Sequence, residues 1–155
     1  MRVKELGHIV LYVRDLENSS KFYRDVLGWT PLLDGSLPPG RRPFTAFNSS
    51  SGRTHHELLL IEVGPTAAAL PSGRRVGMYH FGLKVGDSDD ELREALAVLR
   101  AHDVEIVGAT DHGVTHSLYV RDPDGNEIEL YVDVPGVDWG DPELWASPTM
   151  RPLRL

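Results

Sequence analysis

Cysteine is absent from all 155 residues. That excludes disulfides, thiolate metal ligands and a cysteine nucleophile, and it makes a cytoplasmic protein the expectation. Long apolar runs are missing as well. Leu58 to Ile61 is typical of what is present, far short of the roughly 20 residues that cross a bilayer. The opening Met-Arg-Val-Lys-Glu carries no apolar stretch of the signal-peptide kind, so no membrane partner is expected. Basic charge is in deficit. Sixteen Lys and Arg against 23 Asp and Glu leave a net charge of -7, which argues against a broad nucleic-acid face. Arg41-Arg42 and Arg74-Arg75 are isolated pairs in Pro/Gly loops and read as solvated charges. What remains, 41% hydrophobic and 25% charged residues, is the composition of one globular domain with a real core.

An internal repeat organises that domain. Gly7-His8-Ile9-Val10-Leu11-Tyr12-Val13 is followed by Arg14-Asp15, and Tyr79-His80-Phe81-Gly82-Leu83-Lys84-Val85 by Gly86-Asp87. Each is an alternating strand headed by histidine. Each leads into helical periodicity: Leu16, Phe22, Tyr23, Val26 and Leu27 up to Gly28, then Leu92, Leu96, Val98 and Leu99, with Asp87 or Ser88 as the cap. Short apolar runs follow each helix, at Thr30–Leu33, Phe44–Phe47 and Glu57–Val63, then at Glu105–Val107, Ser117–Val120 and Ile128–Val132. Asp122-Pro123-Asp124-Gly125-Asn126 marks a hairpin turn between the last two. The pattern predicts an α+β fold of paired βαβββ modules forming a half-barrel metal cavity. A single domain over 1–134 contains repeat 1 at about 5–64 and repeat 2 at about 77–133. The Pro- and Trp-containing tail, 135–155, is expected to run as an irregular strap over the domain or a partner subunit. The repeat offset carries Glu57 onto Glu129 as well as His8 onto His80, so these four are expected at matching positions.

Imidazole and carboxylate donors suit Fe(II), Mn(II), Ni(II) or Zn(II), and two histidines with one carboxylate suit non-haem Fe(II) in particular. A histidine at one strand start is more often structural, and a strand glutamate can simply face solvent. Three such residues in a repeated register point to a metal.

The stretches Gly7 to Leu16, Ser20-Lys21-Phe22-Tyr23 and Val26-Leu27-Gly28-Trp29 resemble the opening of a vicinal oxygen chelate module. That superfamily includes glyoxalase I, bleomycin resistance proteins and type I extradiol dioxygenases, and the resemblance covers about residues 5 to 133. Asp111-His112-Gly113-Val114, with Tyr119 ten residues before Glu129, and His55-His56-Glu57 followed by leucines are similar to the catechol 2,3-dioxygenase branch. The resemblance implies that His8, His80 and Glu129 hold Fe(II) and that a catechol-type aromatic and dioxygen occupy its open positions. It also implies that His56 moves protons during turnover, that Tyr119 donates a hydrogen bond to bound oxygen or ring, and that His112 orients the substrate. A cytoplasmic homodimer is expected, its site within one chain or shared by two.

Glu57 departs from the dioxygenase pattern, because glyoxalase I uses glutamate there as a fourth ligand. Adjacent strand residues face opposite ways, so His56 and Glu57 should not both address one ion. If Glu57 points inward the chain resembles a glyoxalase-type lyase or isomerase; if His56 does, a dioxygenase. His112 and Tyr119 favour His56. A non-catalytic drug-binding resistance protein is the third reading, and binding proteins of that kind lack the metal triad.

Overall fold

The computed structural model describes residues 1–33, 43–146 and 150–155. The Ser36–Gly40 loop and the Arg41-Arg42 pair lie outside the described residues. The chain divides into two compact units, Met1–Leu70 and Pro71–Leu155, each a mixed α+β layer of one sheet covered on one side by a helix.

In the first unit β1 (Ile9–Val13) leads into α1 (Leu16–Lys21) and a π-helical turn over Phe22–Val26, then β2 (Thr30–Pro31), β3 (Phe44–Asn48) and β4 (Leu58–Glu62). The sheet order is β1-β4-β3-β2, with β1 parallel to β4 and the other neighbours antiparallel. Asp15 caps α1, its side chain accepting from the Asn18 amide at 2.8 Å. The widened turn, with the Leu27 amide donating to the Phe22 carbonyl, is invisible in the apolar stripe. It leaves Phe22 and Tyr23 buried. Strand alternation sends Leu11, Val13, Leu58 and Leu60 into that core with Phe47, and His8, Val10, Tyr12 and Leu59 to the opposite, open face.

The second unit repeats the plan. β5 (His80–Gly86), α2 (Asp89–Ala101), β6 (Ile106–Asp111), β7 (Thr115–Arg121) and β8 (Glu127–Asp133) precede the short α3 (Pro142–Ala146) and β9 (Arg151–Pro152). The sheet order is β5-β8-β7-β6-β9, with β5 parallel to β8. Ser88 is the cap of α2, its side chain accepting from the Glu91 amide, while the Glu91 carboxylate accepts from the Ser88 hydroxyl at 2.9 Å and the Asp87 amide at 2.7 Å. Leu92 and Leu99 bury against Phe81, Leu118, Val120, Ile128 and Leu130. The turn between β7 and β8 is built on Asp122. This buried carboxylate accepts from the amides of Asp124 and Asn126 and from the Asn126 side chain.

Three expectations are corrected here. β6 continues to Asp111, beyond the Glu105–Val107 run, because Thr110 and Asp111 pair on both sides. Part of the tail is not an irregular strap: β9 joins the sheet edge beside β6. The equal His-to-Glu spacing does not reflect equal register. Ile9 pairs with Leu58, 49 residues on, whereas His80 pairs with Glu127, 47 residues on. Glu127 is thus the ladder counterpart of Glu57, and Glu129 that of Leu59. Chain counting adds loop length to register, and a two-residue slip leaves every side chain on its original face.

Candidate metal and active site

Alternation along β5, β7 and β8 puts His80, Ser117, Tyr119, Glu127, Glu129 and Tyr131 on the face turned away from α2. The Glu129 carboxylate is the hub. Its Oε2 lies 3.1 Å from His80 Nε2. Its Oε1 accepts from Ser117 Oγ at 2.6 Å and from Tyr119 OH at 3.1 Å. His112 Nε2 is 2.7 Å from the same tyrosine oxygen. Behind His80, the buried Nδ1 has no hydrogen-bond partner among the described residues and faces Glu127 Oε1 at 3.9 Å.

Two glycines make the face close-packed. A Cβ on Gly82 would meet the Tyr131 ring at 3.2 Å and Glu129 Oε2 at 3.8 Å, and one on Gly108 would meet the Tyr119 ring at 3.3 Å. Burial and the Glu129 carboxylate push the Tyr119 phenol well above the ordinary tyrosine range, so it stays protonated and donates. Tyr131 is raised by burial and then by Asp133. The Tyr79 phenol is raised by the charge of Glu127 and by its hydrogen bond to that carboxylate.

The first unit holds a histidine cluster of its own. His8 stands exposed just before β1, its ring 4.4 Å from that of His56 and 5.8 Å from that of His55. His55 and His56 approach through their Nδ1 atoms at 2.6 Å. His56 Nε2 is buried and has no hydrogen-bond partner among the described residues. Burial, and then the neighbouring His55 and His8, lower the His56 pKa, so the ring is neutral near pH 7.

Glu57 is engaged elsewhere. Its carboxylate accepts from the Ser49 amide at 2.8 Å, the Ser49 hydroxyl at 2.5 Å and the Ser51 hydroxyl at 2.7 Å, with Arg53 at 3.9 Å. Burial would raise this carboxyl, but the serine donors and Arg53 outweigh it and hold the group below its usual value.

His112 and Tyr119 thus lie with His80 and Glu129, and His56 lies with His8. His116 is a β7 residue, its Nδ1 2.6 Å from Asp89 at the start of α2. Sequence reasoning missed Ser117, Glu127 and Tyr79. A strand serine carries no signature, but Glu127 and Tyr79 flank predicted ligands and their even spacing from Glu129 and adjacency to His80 were available signals.

One pair of donors, His80 and Glu129, has the spacing of two ligands of a divalent ion. Adjacent ligands at about 2.1 Å from an octahedral centre stand about 3 Å apart, and the His80–Glu129 separation is 3.1 Å. The far nitrogen of His80 stands 3.9 Å from the Glu127 carboxylate, beyond hydrogen-bond distance but on the side from which ligand imidazoles are oriented. Among the described residues no group of three such donors is gathered.

Comparison with known proteins bears on the family and the fold. The catechol-2,3-dioxygenase of Bacillus subtilis is 37% identical over 134 residues, covering 86% of this chain; the chain spans only 43% of that relative. A lactoylglutathione lyase of Neisseria meningitidis is 32% identical over 134 residues, covering 86% of the chain and 94% of the relative. Among solved structures, a glyoxylase/bleomycin resistance protein/dioxygenase domain from Frankia sp. EAN1pec superposes with a TM-score of 0.70 at 21% identity, covering 86% of this chain and all of that one. That likeness bears on the fold. Residues 5–130 match the model of one family, and the chain belongs to the Glyoxalase/Bleomycin resistance protein/Dioxygenase superfamily.

Proposed function

We propose that the protein is an Fe(II)-dependent extradiol dioxygenase-type enzyme that cleaves a catechol-like aromatic with dioxygen. The observation that carries this reading is the Glu129 hub, with His80 on one carboxylate oxygen and the Ser117, Tyr119 and His112 chain on the other. His80 and Glu129 would hold the metal, with His8 as the third ligand. Bound Fe(II) would supply adjacent open positions for a chelating diol and dioxygen, and the electrons that couple them.

The remaining roles fall to the chain's own side chains. Tyr119, kept protonated, presents a phenolic donor beside the ligand carboxylate, and His112 fixes the direction of that hydroxyl. His56, neutral and with an unpartnered Nε2, is suited to take a proton from a substrate hydroxyl and return it to the product. The tyrosines of the face offer an aromatic substrate rings to pack against.

The full-length match to a lactoylglutathione lyase favours a second reading, a metal-dependent isomerising lyase with Glu57 as a fourth ligand. The four contacts that engage Glu57 argue against that ligand. One experiment separates the two. Protein purified without oxygen is loaded with Fe(II) and mixed in air with a panel of catechols. Yellow ring-cleavage product with stoichiometric oxygen uptake supports the dioxygenase. No turnover with Fe(II), beside Ni(II)- or Zn(II)-dependent turnover of a methylglyoxal–thiol adduct, overturns it.

A further inference from the structure

The last residues of the chain lie outside the family match, which ends at 130, yet they return to the part of the sheet that holds Tyr119. β9 pairs antiparallel with the outer edge of β6, Pro152 opposite Thr110 and Arg151 opposite Asp111, and the Leu153 amide donates to the Ala109 carbonyl at 3.2 Å. The segment so gripped, Ala109–Asp111, is bounded by the two β6-side contacts of Tyr119. On one side Gly108 lies beneath the tyrosine ring, close enough that a Cβ would stand 3.3 Å from it. On the other, His112 Nε2 meets the tyrosine hydroxyl at 2.7 Å. The turn that aims His112 rests on the same segment, through the Asp111 carboxylate on the Gly113 amide at 2.7 Å and the His112 amide on the Thr115 carbonyl at 2.9 Å. Glu129 belongs to β8, two strands from β6, and His80 to β5, three strands away at the opposite edge.

We propose that β9 with Leu153 is a positioning element for Tyr119 and His112, fixing β6 against β7 so that the phenolic donor is aimed at the Glu129 carboxylate. An edge strand held on one side only is free to fray, and β9 supplies the second side. Pro152 offers no N–H, which suits the outermost strand of a sheet. The kinetic part of the inference rests on the dioxygenase reading; the structural part does not.

The test compares the full chain with a chain ending at residue 149, with Leu153→Pro, which deletes the N–H that reaches Ala109, and with Leu153→Ala, which keeps it. In Leu153→Pro and the shortened chain the 15N imidazole signals of His112 are expected to move while those of His80 stay. Fe(II) affinity and KM should be unchanged and kcat should fall about tenfold, within the range that small misplacements of catalytic groups produce. Leu153→Ala should behave as the parent. Unmoved His112 signals with parental kcat in folded Leu153→Pro would overturn the inference. So would a loss of Fe(II) affinity in step with thermal stability, which marks a merely structural strand. The imidazole spectra decide the matter even where no catechol is turned over, so failure here is separable from failure of the dioxygenase reading.

Discussion

Replacing Ser117 by alanine isolates one hydrogen bond of the proposed metal carboxylate. Ser117 is fully buried, and its hydroxyl sits 2.6 Å from Glu129 Oε1, the short distance of an O–H donor on a charged oxygen. Without it, among the described residues Oε1 keeps the longer Tyr119 bond at 3.1 Å, with His112 Nε2 at 3.9 Å. Thr115 is no substitute, since its hydroxyl is paired with that of Ser117 at 3.4 Å rather than with the carboxylate. The carboxylate then gains rotational freedom that metal binding must remove, a cost of about 0.5–1.5 kcal/mol per side chain. Groups that orient a ligand typically carry 10–100-fold in metal affinity. Because Tyr119 remains, the expected loss in Ser117→Ala is near the lower end, about tenfold or about 1.4 kcal/mol. The assay is an anaerobic Fe(II) titration against a competing chelator, with unfolding curves to show that the variant is folded. Tyr119→Phe and the double variant complete the cycle. Since both hydroxyls serve one oxygen, the combined loss should differ from the sum by about 0.5 kcal/mol or more. Parental Fe(II) affinity in a folded Ser117→Ala, together with strict additivity in the cycle, would refute the claim that this pair sets the direction of Glu129.

Three further outcomes are expected. His56→Ala should retain Fe(II) and lose about 10²–10⁴-fold in kcat, the usual contribution of a positioned acid–base group; unchanged turnover would remove His56 from the proton path. Glu57→Gln should leave Fe(II) affinity intact and lower stability by about 1–2 kcal/mol at pH 7, as for hydrogen bonds to a charged acceptor. The carboxyl of Glu57 is depressed in the fold. Its stabilisation is therefore present above the unfolded value near 4.3, and is lost as pH falls through the lower folded value. Urea curves across that range should show a flatter acid limb in the variant. Asp122→Ala strips the β7–β8 turn of a buried acceptor with three donors and should cost about 2–3 kcal/mol in urea unfolding.

Features written in local chemistry were legible in the sequence. The histidine-headed strands, the Ser88 cap with Glu91 three residues on, and the Asp122–Asn126 turn each carry their mechanism within a few residues, and their alternation sets which side chains share the open face. Features decided by distant pairing were not. Two residues in a Pro-rich tail carry no strand signature of their own, and β9 exists because β6 has a free edge. The competition between His56 and Glu57 turns on the serines at 49 and 51. A serine-rich loop reads as solvent-exposed linker until it is seen wrapping a carboxylate. The spacing that tied Glu57 to Glu129 was real as a count along the chain and misleading as a position in a ladder.

That two-residue difference in ladder register has a consequence for how duplicated modules diverge. Slippage by an even number of residues changes which carboxylate stands level with the strand-leading histidine, yet it inverts no face and exposes no core. One copy can therefore carry an acid at a ladder position where its twin carries a leucine, as Glu129 stands opposite Leu59 in the repeat, with the architecture of both intact. A duplicated fold of this kind acquires asymmetric chemistry by small longitudinal drift, without the two halves ceasing to look alike.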